Sequence, residues 1–498
     1  MASSLRDALV ARLAALPNTT PLGLTVVASS PKRTTQLFPH APSASVRCME
    51  TEYLVVVHCR LPLAALEPAV DPLSSPAAEG KADDGTNDES SSTAVPEPPT
   101  NVLAAAISAH VYTLPTGDGV PAASIVYISK VDSSGYAASA GPVTRELAIG
   151  VLSHFLSPAT RPTPRVTATL FARSQGQYLF PNSVEGGGKR VLGGLGLCQW
   201  WKGVYESAAE ALVTAGVKTS DLHLRYLLPS YSASEASGML RAPIRAPPVE
   251  WEYKPPFTHP LLPTDTPSLA TLLPSLPDDP KTRFLEELVD AAVDRVTAPI
   301  GPTTSSSSAA STSNATALGP TTSSSSIVST ASSTRKHKHN DRERIRAEAE
   351  DEEERRRAHA ALSRVPADEF WERIGFRQEC ASGDVTGFFS ISVETEGETA
   401  ANHFAAKTNG ASTRTAIPQL LVERLLKSLL NTDFGTRALA CAGTVHWLES
   451  THALVADEIG EDGWTACVAN VGAKEGVERV VKRKEEVVTM LQPRKKKK

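Results

Sequence analysis

Apolar residues recur along the chain with two periods, which separate predicted strands from predicted helices. Short runs rich in β-branched and aromatic residues, typical of strands, occupy residues 53–58, 124–129, 166–171 and 222–228. Apolar residues at helical spacing occupy 4–16, 143–156, 197–215, 281–296, 368–376 and 420–430. Strands interleaved with helices predict a sheet flanked by helices, in an α/β or α+β class, and leave the strand order open.

Several stretches carry too few apolar residues to pack into a core. Residues 71–100 are rich in proline, serine and acids, and residues 300–334 contain two serine/threonine runs. A mixed-charge run over 341–357 follows and is compatible with a solvated helix. Patterned sequence resumes after each stretch, so we interpret 71–100 and 300–357 as disordered, low-complexity insertions within one domain.

The character of the chain changes again near residue 395. We therefore predict a domain over 1–395 and a C-terminal extension over 396–498 that ends in four lysines, Lys495–Lys498. A second basic cluster, Lys482-Arg483-Lys484, precedes the tail at the spacing of a bipartite nuclear-import signal. A solvated basic tail that contacts any polyanion, including DNA, explains the same residues equally well.

Composition excludes several classes of protein. The chain of 498 residues has a net charge of −5 and 41% hydrophobic residues, which suffices for a core but gives no global attraction to polyanions. Its six cysteines form no CxxC pair, which favours reduced intracellular thiols over disulfides or structural zinc. No apolar run reaches the roughly 18 residues that a membrane span needs, and the signatures of serine hydrolases, kinases and zinc proteases are lacking.

The start of the helix predicted at 281–296 carries the first candidate chemistry. Asp279 before Pro280 is a good helix start, because aspartate caps free N–H groups and proline suits the first turn. Lys281 is poorly placed there, since a cation in the first turn opposes the helix dipole. Either one of the aspartates Asp278 and Asp279 holds Lys281, or acetylation neutralises it.

Three further positions combine structural and functional interpretations. Trp201 follows Trp200 on a helix whose spacing makes Trp201 a core residue. Lys189 and Arg190 lie on a glycine-rich loop, which suits phosphates as well as a solvated turn. Asp132 follows a predicted strand, where a plain turn explains it too.

Five stretches in order, 129–136, 171–183, 189–201, 277–288 and 369–383, resemble the fungal histone acetyltransferase family known as the regulator of transposition, similar in structure to CBP-type acetyltransferases. The resemblance implies one α/β acetyltransferase domain with a central mixed β-sheet flanked by helices and a cleft for acetyl-CoA, without a metal. It gives Asp279 the role of acid/base candidate, with Asp278 and Asp132 as neighbouring acids. Trp201 would line the lysine channel with Tyr178 nearby, and Lys281 would be autoacetylated.

The same resemblance implies a set of acetyl-CoA-binding residues. They are Val131, Asp132, Ser133, Ala140, Gly141, Pro142, Val143, Thr144, Phe171, Gln175, Arg190, Val191, Leu192 and Trp200. A lysine with a pKa of about 10.4 must lose a proton before it attacks a thioester. Either an aspartate acts as base, or solvent takes the proton while the aspartates orient the amine. An Asp279→Asn variant is expected to fold normally and turn over slowly.

The resemblance further implies acetylation of histone H-three lysines, in the core domain and the tail, before nucleosome assembly in the nucleus, supporting DNA replication, transcription regulation and the damage response. The implied partners are a histone H-three/H-four complex and histone chaperones. A catalytically inactive histone- or chaperone-binding scaffold is the alternative, and a nonspecific nucleic-acid binder that uses the tail is a third hypothesis.

Overall fold

The computed structural model describes most of the chain between residues 5 and 473. The described residues are 5–17, 20–40, 48–60, 101–115, 121–136, 142–186, 188–240, 246–255, 257, 259, 270–297, 346, 349, 352–377, 380, 383–394 and 415–473. The predicted insertion 71–100, most of 300–357, the basic clusters of the tail and the candidate residues Ala140 and Gly141 lie outside them.

One mixed sheet organises the fold. Its strands are β1 Leu22–Ser29, β2 Lys32–Thr34, β3 Cys48–Arg60, β4 Asn101–Pro115, β5 Pro121–Ser133, β6 Arg165–Ala172, β7 Leu222–Leu227, β8 Trp251–Tyr253, β9 Gly387–Glu394, β10 Ala416–Ile417 and β11 Val468–Val471. The order is β10-β1-β3-β4-β5-β6-β9-β7-β8, with β11 paired to β1 and β2 to β3. The pairs β5–β6, β7–β8 and β1–β10 are parallel and the remaining pairs are antiparallel.

Helices cover both faces of this sheet. They are α1 Leu5–Ala14, α2 Val143–Leu156, α3 Gly194–Thr214, α4 Ala233–Met239, α5 Pro280–Thr297, α6 Ala367–Ile374, α7 Gln419–Leu430 and α8 Arg437–Cys467, with a further helical stretch at 352–362. Alternate strand residues face opposite cores: Val111 belongs to the core that includes residues of α1, α2, α3, α7 and α8, whereas Tyr112 belongs to the core that includes residues of α5 and α6. The predicted architecture, a central mixed sheet flanked by helices, is confirmed.

Most predicted elements are present with small shifts at their ends. The helix predicted at 143–156 is α2 itself, and those predicted at 281–296, 368–376 and 420–430 begin within one residue of α5, α6 and α7. The strands predicted at 53–58, 124–129 and 166–171 are the central parts of β3, β5 and β6. The sequence analysis did not predict β1, β4, β9 or α8.

The segment after residue 415 belongs to the same sheet and core as the rest. Strands β10 and β11 both pair with β1, and Trp447 of α8 is fully buried in the core with α1 and α2. The Thr444 hydroxyl accepts a hydrogen bond from the Leu103 N–H at 2.9 Å. Residues 416–471 therefore extend the sheet, and here the structure differs from a domain boundary drawn at residue 395. Apolar faces this large are stable only when they are covered by the rest of the fold.

Two further expectations from the sequence concern the cysteines and membrane-spanning helices. None of the six cysteines forms a disulfide in the structure. Within the described residues, no helix combines the length and the apolar character that crossing a membrane demands.

Candidate active site

The candidate site lies where two parallel strands of the sheet separate. The β5–β6 ladder runs from Ala123 opposite Arg165 to Tyr127 opposite Thr169. Beyond it, β5 continues along β4 to Ser133, while β6 continues along β9 to Ala172. The register between β4 and β5 shifts at Ser129, which is skipped between two paired residues, and such bulges bend a strand away from its partner. The two strands therefore diverge and open a cleft in the middle of the sheet.

A first cavity of about 340 Å³ occupies the α3 side of this cleft. The predicted cofactor residues that line it are Val131, Asp132, Ser133, Thr144, Phe171, Gln175, Arg190, Val191, Leu192 and Trp200. Trp201 and Tyr178 line it as well. Its walls are largely apolar, with Arg190 exposed at the 188–193 loop, an arrangement that suits an apolar chain with a charged end.

Two predicted cofactor residues take other positions. Pro142 precedes α2 and is exposed, and Val143 is buried in the core. Of the described residues 142–144, only Thr144 reaches the cavity wall. The first turn of α2 carries unpaired N–H groups and the positive end of a helix dipole, so it still offers a place for phosphate beside the cavity.

A second cavity of about 310 Å³ occupies the α5 side of the cleft. Asp278, Asp279, Pro280 and Arg283 form one wall, and Tyr127 lies opposite. The two cavities share a set of six lining residues: Ser129, Lys130, Phe171, Arg173, Gln175 and Tyr178. The gap between β5 and β6 thus connects a space on one face of the sheet with a space on the other.

Asp279 and Lys281 form a buried ion pair at the start of α5. The Lys281 ammonium donates to Asp279 Oδ2, and the Lys281 N–H donates to Asp279 Oδ1 at 2.9 Å. Their side chains are only 1% and 4% exposed, and the ammonium lies 4.8 Å from the centre of the Phe388 ring. Two explanations were given for a lysine in the first turn of this helix. The structure shows the first of them, an ion pair with an aspartate. Asp279 caps the helix, as predicted.

Asp278 occupies a different environment although it is the adjacent residue. Its φ of 56° lies in the left-handed region, which is uncommon for a residue with a Cβ atom. This backbone turn directs the carboxylate outward, where it is 69% exposed and accepts a hydrogen bond from Lys130 Nζ. Asp278 is therefore the more accessible of the two carboxylates at the start of α5.

Asp132 holds together the loop that follows β6. Its Oδ2 accepts the N–H groups of Tyr178 at 2.8 Å, Leu179 at 2.9 Å and Phe180 at 3.2 Å. Its Oδ1 accepts the Ser133 N–H at 2.8 Å and the Lys189 ammonium at 2.6 Å. With five donors on one buried carboxylate, Asp132 fixes the cavity walls on both sides, and Lys189 is used in this pairing instead of facing phosphates.

Aromatic residues form the inner wall of the first cavity. Trp200 and Trp201 meet edge to face with ring centres 4.8 Å apart. Trp201 is a core residue, packed against Tyr205, and it also lines the first cavity but not the second. Tyr178 lines both cavities and donates its hydroxyl to the Arg173 carbonyl, and burial raises the pKa of this hydroxyl.

Helix α3, which carries both tryptophans, is anchored at its first turn. The Asp384 carboxylate accepts the Gly194 N–H at 2.8 Å and 2.9 Å, where the helix dipole favours negative charge. A Cβ at Gly194 would lie 2.0 Å from the Val385 carbonyl oxygen, so only glycine fits this close approach. The sequence analysis missed this anchor, and it also missed Ser129, Lys130 and Arg173 of the shared wall.

Comparisons with known proteins agree with this geometry. The family described as Histone acetyltransferase KAT11-type domain matches residues 151–450. "Histone acetyltransferase rtt109" of Aspergillus flavus is 27% identical over 299 residues, which cover 55% of this chain and 42% of that protein. The protein of the same name from Schizosaccharomyces pombe is 25% identical over 329 residues, or 66% of this chain and 67% of that protein. The match thus spans less than half the length of the Aspergillus flavus relative.

A solved structure shares the fold. The crystal structure of Rtt109 from Aspergillus fumigatus superposes with a TM-score of 0.58 at 20% identity, over 95% of this chain and 100% of that chain. The class that these findings define is the acetyl-CoA-dependent acyltransferases. The chain belongs to the KAT11-type histone acetyltransferase family, among its fungal Rtt109-type members, as the resemblance predicted.

Proposed function

We propose that this chain transfers the acetyl group of acetyl-CoA to lysines of histone H-three before nucleosome assembly. The observation that carries the proposal is the pair of cavities that meet at Phe171, Arg173 and Tyr178 through the gap between β5 and β6. Acetyl-CoA enters from the α3 side and the acceptor lysine from the α5 side. The thioester and the amine then meet at the shared wall, which positions two reactants for direct transfer.

The first cavity supplies what an acyl-CoA thioester needs. Leu192 and Trp200 offer apolar surface for the pantetheine arm. Arg190 and the first turn of α2, next to Thr144, offer positive charge and N–H groups for phosphates. Asp132 acts here as a positioning residue, because its hydrogen bonds set the distance between β5 and the 178–180 backbone.

The substrate ammonium loses two protons in the reaction, and the leaving thiolate gains one. The first proton goes to a carboxylate or to water, and the neutral lysine nitrogen then attacks the thioester carbonyl carbon. The new C–N bond forms and the C–S bond breaks as the thiolate of CoA leaves. The nitrogen gives up its second proton to a carboxylate or to water, and the thiolate takes a proton from solvent. Asp278, exposed in the second cavity, orients the incoming ammonium.

Lys281 controls the availability of Asp279. Both Asp279 oxygens are engaged by Lys281, one by its N–H and one by its ammonium. Acetylation of Lys281 by the chain itself removes the ammonium charge and releases Asp279 Oδ2, which then accepts a proton or a hydrogen bond from the substrate amine. We propose that this autoacetylation converts Asp279 from a structural partner into the acid/base group.

The wider setting follows from the same family. The substrate is a histone H-three/H-four complex presented by a histone chaperone, and the site of action is the nucleus, where the chain supports DNA replication and the damage response. The basic clusters at 482–484 and 495–498 serve as a nuclear-import signal and contact polyanions such as DNA.

The test is transfer of labelled acetyl from acetyl-CoA to a histone H-three/H-four complex, with and without a histone chaperone. We expect label on histone H-three and on Lys281. Asp278→Asn should lower the rate at least 10-fold, whereas a matched change of an exposed acid on α8, Asp457→Asn, should leave it unchanged. Absence of transfer under every condition, with the histones still bound, would favour the inactive scaffold.

A further inference from the structure

A second cluster of chemistry-bearing side chains lies on the α5 face of the sheet, in a cavity that Ser129 and Lys130 of the shared wall also line. Glu50 and Glu52 are two residues apart on β3, so both side chains point to the same face of the sheet. His110 of β4 pairs directly with Glu52 across the antiparallel ladder. The strand register therefore brings two carboxylates and one imidazole together, independently of any loop.

The distances within this cluster allow all three side chains to bind the same metal ion. His110 Nδ1 lies 3.1 Å from Glu50 Oε1, and one atom from each of the three side chains lies within 4.8 Å of the other two. Two donors each about 2.1 Å from one ion and 3.1 Å apart subtend an angle of about 95°, which is usual for a divalent ion with oxygen and nitrogen ligands.

A fourth side chain adds an independent observation. Gln419, at the start of α7, donates its Nε2 to Glu52 Oε1. Its carbonyl oxygen Oε1 is buried and accepts no hydrogen bond from any described residue. A buried amide oxygen without a donor is unfavourable, and a cation satisfies it directly. Because the two ends of an amide side chain exchange by a rotation of 180°, Gln419 is able to turn either end toward Glu52.

The surroundings leave room for an ion and its water. The cluster and Gln419 line a cavity of about 640 Å³ that Glu423 also lines. Glu52 is nine-tenths buried, and the carboxylates of Glu50 and Glu423 lie near it. Two carboxylates held this close in a buried place gain from a positive ion between them.

We propose that Glu50, Glu52 and His110 bind one divalent transition-metal ion, with Gln419 Oε1 as the fourth ligand. The mixed set of carboxylate and imidazole donors suits Zn²⁺ or Mn²⁺ better than Mg²⁺ or Ca²⁺, which prefer oxygen donors alone. The ion joins β3 and β4 to α7, so its role is to attach the C-terminal helices to the sheet. It is not part of the acetyl transfer and does not depend on the proposed function.

The first test is calorimetric titration of the chelator-treated full chain, without an affinity tag, with ZnCl₂. We expect one site whose Kd rises at least 10-fold in Glu52→Gln and in His110→Gln, and a higher midpoint of thermal unfolding with Zn²⁺ for the unchanged chain and the control but not for these two variants. His223→Gln is the matched control, because His223 also contacts a glutamate, Glu252, at 3.3 Å but lies outside the cluster. Equal Zn²⁺ binding by all four proteins overturns the proposal.

The second test needs no variant and so does not depend on how the variants fold. X-ray absorption at the zinc edge, on the unchanged chain with one equivalent of Zn²⁺, should show a shell of oxygen and nitrogen at about 2.0–2.1 Å with a single imidazole. A sulfur shell, or two or more imidazoles, would place the ion at the cysteines or at the histidines of residues 337–339 and would refute the site.

Discussion

Replacement of Asp279 by asparagine tests whether the buried ion pair at the start of α5 is structural, catalytic or both. Asparagine keeps the size of the side chain and an oxygen that accepts the Lys281 N–H, so the helix cap is retained. It removes the negative charge, so the Lys281 ammonium loses its partner. The Lys281 side chain is only 4% exposed, and its ammonium lies over the Phe388 ring. We therefore expect Asp279→Asn to lower the free energy of unfolding although asparagine still caps the helix. The sequence alone led to the opposite expectation, that the variant folds normally.

The magnitude follows from the burial of both partners. Removing one member of a buried ion pair costs about 3–5 kcal/mol in the free energy of unfolding, because the remaining charge is left desolvated. Lys281→Met should cost a similar amount through Asp279. Removing both charges leaves no uncompensated ion, so Asp279→Asn/Lys281→Met should lose less than either single variant, which corresponds to a coupling energy of at least about 3 kcal/mol.

Urea unfolding followed by tryptophan fluorescence measures the three variants, and acetyl transfer measures their activity. If Asp279 is needed for chemistry, the double variant regains stability but stays inactive. Losses that add to within about 0.5 kcal/mol in the double variant would refute the argument, because they would mean that the two charges do not stabilise one another.

Four further outcomes are expected. Asp132→Asn should destabilise the chain by several kcal/mol and make the 173–190 loop sensitive to limited proteolysis, because five hydrogen bonds, one of them from the Lys189 ammonium, depend on the carboxylate. Trp200→Ala should raise the KM for acetyl-CoA about 10-fold with little change in kcat, measured by steady-state kinetics. Lys130→Ala should change the free energy of unfolding by less than about 1 kcal/mol, since its partner is 69% exposed, and should lower kcat/KM for the histone. Burial lowers the pKa of His58 to about 4, so the unfolded chain binds the extra proton first and stability should fall as pH drops from about 6.5 to about 4, less so in His58→Asn.

The elements that the sequence predicted are those with a clear period. Helix α2 was bounded correctly because its apolar residues follow the helical repeat without interruption. Strand β4 was missed although it is the longest strand, because both of its faces are covered and its centre is rich in alanine, so neither alternation nor β propensity marks it. Helix α8 was missed because glycines interrupt it, one of them, Gly460, with a φ of 78°.

Spacing along the sequence predicted the ion pair at the start of α5 but not the contacts between distant parts of the chain. Asp279 and Lys281 are two residues apart, so their pairing could be named as an alternative from the sequence. Asp132 meets Lys189 across 57 residues, and Lys130 meets Asp278 across 148. Those contacts depend on the register of β5 and on where α5 crosses the sheet, and no spacing rule contains either. The shared wall was missed for the same reason, since it exists only where β5 and β6 diverge.

Each of the three acids assigned to the site from the sequence is paired with a lysine, and burial decides which of them the substrate reaches. Asp132 is committed to backbone N–H groups and Lys189, and Asp279 is committed to Lys281. Asp278 points outward because its backbone is in the left-handed region, and it forms an exposed ion pair with Lys130. An incoming lysine can displace Lys130 from an exposed pair at little cost, but it cannot displace Lys281 from a buried one. The order of events that this difference favours is orientation of the amine by Asp278 first. In the proposed mechanism, Asp279 takes part only after the charge of Lys281 has been removed.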